Sequence, residues 1–216
     1  MSGAGASCSV LAVARAAWPH ASVSLPVILV HGIWDSSERL APLASGLVLR
    51  GVADVVAIDL RPNDGRAPIS DLAAQVKEAV AAATRRHGKV DLVGFSMGAL
   101  TSRYYIQRLG GRELVRRFVS ISGPQRGTLT AYALPFVGAE QMRPKSPLLQ
   151  DLASDADPWG PVEVHTVITP YDAMILPSSS GELVGSTSHT VFPVKLHRWM
   201  IEDPRVLDHV AKILLA

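Results

Sequence analysis

Apolar and polar positions in this chain follow two periods in turn. Short apolar runs rich in β-branched residues occur at Pro26-Val27-Ile28-Leu29-Val30, at Val55-Val56-Ala57-Ile58 inside Val52 to Leu60, at Val90-Asp91-Leu92-Val93, at Phe118-Val119-Ser120-Ile121 inside Leu114 to Ser122, and from Val162 to Ile168. Runs of this length with no solvated face predict strands covered on both sides, as in a parallel sheet. Between them the period changes to 3.6. Leu72, Val76, Ala79, Val80 and Ala83 share one face of a helix opened by Ser70 and stopped at Gly88. Ser36 or Ser37 can cap a helix that runs to Arg50, with Glu38 in its first turn, and Asp203-Pro204 starts a terminal helix carrying Val206, Leu207, Val210, Ile213 and Leu214 on one side. Strands separated by helices join through right-handed crossovers, so the pattern predicts an α/β class, a mostly parallel sheet with helices on both faces.

The alternation breaks between Thr128 and Pro161. This stretch holds a helical piece around Leu129 to Val137, the turn residues Met142 to Pro147, and a second piece at Leu148 to Ala153. It reads either as a small cap over the sheet, at about 128–161, or as connecting structure; either way it is too short for a large lid. The 216 residues, 48% hydrophobic and 19% charged, fit one domain, expected over 25–216. Residues 1–24 are rich in Ala and Ser, have no Lys or Arg ahead of Val10-Leu11-Ala12-Val13, and are interrupted by Arg15. They are expected to form a flexible leader and not a secretory signal.

Charge narrows the function by exclusion. The net charge of +2 is spread along the chain and aromatic residues make up only 6%, so the clustered basic stripe of a nucleic-acid binder is absent. One cysteine, Cys8, supplies neither a disulfide framework nor a metal-ligand cluster. No run approaches the length of a membrane span. The expectation is a soluble protein, cytoplasmic rather than secreted, with no nucleic-acid partner; its oligomeric state is not legible.

The chemistry concentrates where the third apolar run meets Gly94-Phe95-Ser96-Met97-Gly98. Strand, sharp turn and helix in that order are the context of a G-x-S-x-G nucleophile elbow, in which a strained Ser projects above the sheet. A Ser hydroxyl needs a base, and the base an orienting acid. In such enzymes they follow in the order Ser, Asp or Glu, His. Asp172 stands just past the fifth run in Thr169-Pro170-Tyr171-Asp172, and His189 in a polar stretch directly before Thr190-Val191-Phe192. Reactive groups gather at the carboxyl ends of strands in this architecture. This favours Ser96, Asp172 and His189 over the rival acids Asp155 and Asp157, which belong to the insertion. His165 falls within a predicted strand, His197 in a Pro193 to Met200 segment of helical appearance, His209 on the polar side of the last helix, and His20 and His87 before the strands that matter or at a helix end. Two backbone amides complete the expectation. Met97 follows the nucleophile, and Ile33 lies in the His31-Gly32-Ile33 turn after the first strand, where Gly32 lets backbone approach a substrate. Each donor to a developing oxyanion is worth about 3–4 kcal/mol of barrier.

PVILVHGIWDS at Pro26 to Ser36, Gly94 to Gly98, Ile121-Ser122-Gly123-Pro124-Gln125-Arg126-Gly127-Thr128, and the segments holding Asp172 and His189 together resemble the small bacterial lipases and esterases of the α/β-hydrolase fold. The resemblance runs from about Leu25 to the C terminus. One departure is Phe95, where many of these lipases carry His; it touches substrate preference more than activity. The resemblance implies hydrolysis of a small-molecule carboxylic ester or acylglycerol through an acyl-enzyme, without a metal or organic cofactor. Trp34, Leu134, Phe136, Met174 and Ile175 could line an acyl pocket or belong to the core. A thioesterase or acyltransferase using the same residues, or a non-catalytic binding protein of this fold, remain alternatives.

Overall fold

The computed structural model describes residues 25–216. The leader expected over 1–24, and with it His20, lies outside them. Six strands form one sheet: β1 (Val27–Val30), β2 (Val55–Ile58), β3 (Val90–Phe95), β4 (Val115–Ile121), β5 (Glu163–Ile168) and β6 (Ser188–Val191), in the spatial order β2-β1-β3-β4-β5-β6. Every neighbouring pair is parallel. From β1, next to one edge, the chain goes out to β2 at that edge and then crosses back to β3 and on to the other edge at β6.

The principal helices are α1 (Ala41–Leu49), α2 (Ile69–His87), α3 (Met97–Arg108) and, at the C terminus, α6 (Pro204–Leu215). The two-residue period of the strands divides the core between the sheet's faces. Ile28, Val30, Leu92, Phe118 and Val164 pack with α2 and α3 on one side. Val27, Leu29, Val93, Phe95, Val119 and Val167 pack with α1 and α6 on the other. The expected terminal helix has the expected cap, since the Asp203 carboxylate accepts the Arg205 amide at 2.9 Å. The helix expected to follow Ser37 opens instead as a short 3-10 turn, Glu38–Leu40, because the Ser37 amide is drawn to the Asp59 carboxylate at 2.7 Å.

The insertion folds as a 3-10 turn (Leu129–Ala133), α4 (Val137–Gln141) and α5 (Pro147–Ala153). It lies across the carboxyl end of the sheet. Thr128 ties it down there: its hydroxyl donates to the Met174 carbonyl at 2.8 Å and accepts the Leu176 amide at 2.9 Å. The sixth strand is the one strand among the described residues that the apolar pattern does not announce. Ser188-His189-Thr190-Val191 is short and polar at three of its four positions, as suits an edge strand with no buried residue.

Candidate active site

Ser96 stands alone between the end of β3 and the start of α3, with φ 55° and ψ −126°. For a residue with a Cβ this is a strained backbone, held only because its surroundings over-determine it. The flanking glycines explain how. A Cβ on Gly94 would lie 2.5 Å from the Ala99 Cα, and one on Gly98 would lie 2.3 Å from the His31 carbonyl oxygen and 2.4 Å from that of Val30. Strand and helix touch backbone to backbone, which makes the turn tight enough to lift Ser96 above the sheet. The Ser96 amide is fixed by the Ile121 carbonyl of the next strand at 3.0 Å.

The turn after β1 lies against this serine. A Cβ on Gly32 would sit 2.8 Å from the Ser96 Cβ. Met97 is the first residue of α3, so helical bonding leaves its amide free; the Ile33 amide also has no partner among the described residues, whereas those of Trp34 and Asp35 are taken by Asn63 and Gly32 carbonyls. His31 braces this turn from beneath. Its Nε2 accepts the Leu60 amide at 2.9 Å, which leaves the proton on Nδ1, and Nδ1 donates to the Gly32 carbonyl at 2.8 Å.

Asp172 follows β5 and is buried. Its Oδ1 accepts the amides of Met174 and Ile175, each at 2.9 Å, and its carboxylate accepts a hydrogen bond from a histidine Nδ1 at 2.8 Å. That histidine is His197, not His189. The His197 side chain is 12% exposed and packs on Phe95, the residue before Ser96, with ring centroids 4.8 Å apart. Its Nε2 is buried and has no partner among the described residues. His197 opens a 3-10 turn, His197–Ile201, anchored by the buried Met200 and Ile201.

The structure does not bring His189 to Asp172. His189 is a strand residue, paired with Thr166 across β5 and β6. A strand side chain stands perpendicular to its sheet and not off its end, so the imidazole stands on the sheet's face beside its paired neighbour: Nδ1 meets the Thr166 hydroxyl at 2.7 Å and Nε2 lies 3.7 Å from Glu182. The one signal that could have found His197 was the β-branched and aromatic run Thr190-Val191-Phe192, which marks the end of a strand. Once this is taken as a strand, His197 becomes the first histidine past the last carboxyl end. The other candidates fall elsewhere: His165 within β5, bonded to the Ser188 hydroxyl at 2.8 Å; His209 in α6; Asp155 against Arg108 and Arg112 at 2.8 and 3.0 Å; and Asp157 accepting the Gly160 amide. His87 is the last residue of α2.

Ser96 opens into a cavity of about 320 Å³. Ile33, Trp34, Met174 and Ile175 wall one side and Ala131, Leu134 and Met142 of the insertion the other. Of the five expected acyl-pocket residues only Phe136 is elsewhere, under the Arg66 guanidinium at 4.6 Å. The lining is almost wholly apolar, and the insertion therefore roofs the serine. A nucleophile, an imidazole oriented by a buried carboxylate, free amides and an apolar trough together suit acyl transfer.

A model of the family described as palmitoyl protein thioesterase matches residues 26–159, from β1 through the elbow to the end of the insertion. The chain belongs to that family. A relative named palmitoyl-protein thioesterase 3, from Dictyostelium discoideum, is 28% identical over 121 residues, which make up 54% of this chain and 40% of the relative. The chain thus spans less than half the length of that thioesterase. Among solved structures, lipase B of Aspergillus fumigatus superposes with a TM-score of 0.75 at 17% identity, over 88% of this chain and 52% of the lipase. The mature form of a Bacillus licheniformis lipase gives 0.74 at 15% identity, over 91% and 94%. At such identities the two lipases speak for the α/β-hydrolase fold, which this family member shares with fungal as well as bacterial proteins.

Proposed function

We propose that this chain is a serine hydrolase that cleaves acyl esters through an acyl-enzyme, with Ser96 as nucleophile, His197 as base and Asp172 as the carboxylate that orients it. The observation that carries this reading is the fixed tautomer of His197: Nδ1 donates to the buried Asp172, so Nε2, on the side of the ring away from that bond, is the lone-pair nitrogen. In the reaction Nε2 takes the Ser96 proton while Oγ forms a bond to the acyl carbon. The carbonyl electron pair moves to an oxyanion held by the amides of Ile33 and Met97. As the oxyanion collapses, the bond to the leaving group breaks and His197 returns the proton to it. Water then repeats the cycle on the acyl-enzyme. Asp172 stays ionised and stabilises the imidazolium. Membership of the thioesterase family favours a thioester substrate, whose thiolate leaves more readily than an alkoxide; oxygen esters of the same acyl group fit the same steps.

Matched S-butyryl and p-nitrophenyl butyrate substrates, with the Ser96→Ala variant, test the proposal. Ser96→Ala is expected to lose hydrolysis of both while its melting temperature stays within a few degrees, and only the wild type should react with a fluorophosphonate probe. Activity of Ser96→Ala comparable to wild type removes Ser96 from the mechanism, and a wild type inert to the probe points to a binding protein of this fold.

A further inference from the structure

A second cavity, also of about 320 Å³, opens on the far side of the insertion and shares no lining residue with the Ser96 cavity. Leu149 and Leu152 of α5, with Pro158, Trp159 and Leu183, form an apolar wall. Its volume lies at the small end of the roughly 300–1,000 Å³ typical of small-molecule sites.

The charges around it do not cancel. Arg103 is a buried cation at its floor, 5% exposed, and its guanidinium finds only neutral acceptors: Gln107 Oε1 at 2.7 Å and the carbonyls of Gln125 and Leu152, each at 2.8 Å. Burial, with Arg108 close by, pulls its pKa down to about 10, and the nearby Asp155 carboxylate, which is not bonded to it, only partly offsets this. The two acids on the lining are already engaged. Asp155 is held by Arg108 and Arg112, and Glu182 by Arg126 at 2.7 Å. Lys145, also on the lining, makes no ion pair among the described residues. Two cations on the lining, the buried Arg103 and the exposed Lys145, therefore have no carboxylate bonded to them, beside a wall that an apolar group would cover.

We propose that this second cavity binds a small amphipathic anion, a carboxylate or phosphate carried on a compact alkyl tail. The head would sit between Arg103 and Lys145, and the tail against Trp159 and Leu152. The site is separate from the Ser96 cavity and does not depend on the hydrolase reading.

The test is calorimetric titration of the full chain with decanoate, decyl phosphate and decanol. At least one anion is expected to bind about tenfold more tightly than decanol, the order of a desolvated charge interaction; which of the two does so identifies the headgroup. Lys145→Glu should weaken the anion about tenfold and leave decanol unchanged. Ala153→Trp fills the cavity from an exposed position and should abolish binding, whereas Ala133→Trp, on the lining of the Ser96 cavity, should not. Melting curves verify that each variant folds, and Ala156→Trp replaces Ala153→Trp if the latter does not. Decanol binding as tightly as both anions, no heat at millimolar anion, or a loss caused by Ala133→Trp and not by the cavity variants would each overturn the proposal.

Discussion

Replacing His197 by Ala removes the one imidazole bonded to Asp172 among the described residues, and its effect on rate and on stability should separate cleanly. The lost bond is charge-assisted and buried, worth about 1.5–3 kcal/mol to the fold. Part of that is retained, because Asp172 Oδ1 keeps the amides of Met174 and Ile175. Without the base, acyl transfer should slow by about 10⁴-fold, or about 5–6 kcal/mol of barrier. His189→Ala is the matched control. It deletes one hydrogen bond to Thr166 and a 3.7 Å approach to Glu182 at a side chain 31% exposed, about 1 kcal/mol of stability, with no effect on turnover. The assay is initial-rate hydrolysis of an oxygen ester and a thioester by both variants, with thermal melts alongside. A His197→Ala variant within about tenfold of wild type, or the large loss appearing in His189→Ala, would refute the assignment.

Three further outcomes follow from the geometry. Gly98→Ala sets a Cβ 2.3 Å from the His31 carbonyl oxygen and 2.4 Å from that of Val30, backbone at the end of β1 that cannot rotate away, so a loss of about 3 kcal/mol or more should appear in denaturant unfolding, or as insoluble protein. His31→Leu leaves the Leu60 amide without its acceptor, costing about 1–3 kcal/mol. It also removes one of the two donors to the Gly32 carbonyl, leaving only the Asp35 amide at 3.4 Å, so kcat should fall about ten- to a hundredfold with KM little changed, less than the loss of a whole oxyanion donor. Burial holds His165 and His209 below the ordinary 6.5, so the unfolded chain binds more protons than the folded one once pH drops below that value. Their contribution to stability is complete above pH 6.5 and is lost as pH falls through the depressed folded-state values; melting temperature followed from pH 8 to 5 should decline, and changing both to Gln should flatten that limb.

The sequence by itself settled what depends on local chemistry. Continuous apolar runs spaced by helical periods can bury themselves only as a parallel sheet between two helical layers, and Gly94 and Gly98 around Ser96 mark the place where strand and helix must touch. Asp172 was legible because it follows a strongly apolar strand. The histidine bonded to Asp172 was not, because choosing among histidines downstream of Ser96 needs the end of the last strand, and β6 is a four-residue edge strand whose polar positions hide it. Only the tertiary structure, by pairing Thr166 with His189, held that imidazole on the sheet's face beside Thr166 and carried the chain on to dock Met200 and Ile201, which set His197 against Asp172 and Phe95. The second cavity is tertiary as well: Arg103 stands on α3, far in sequence from Lys145 and Glu182, and no local pattern tells whether a buried guanidinium will meet a carboxylate or only carbonyls.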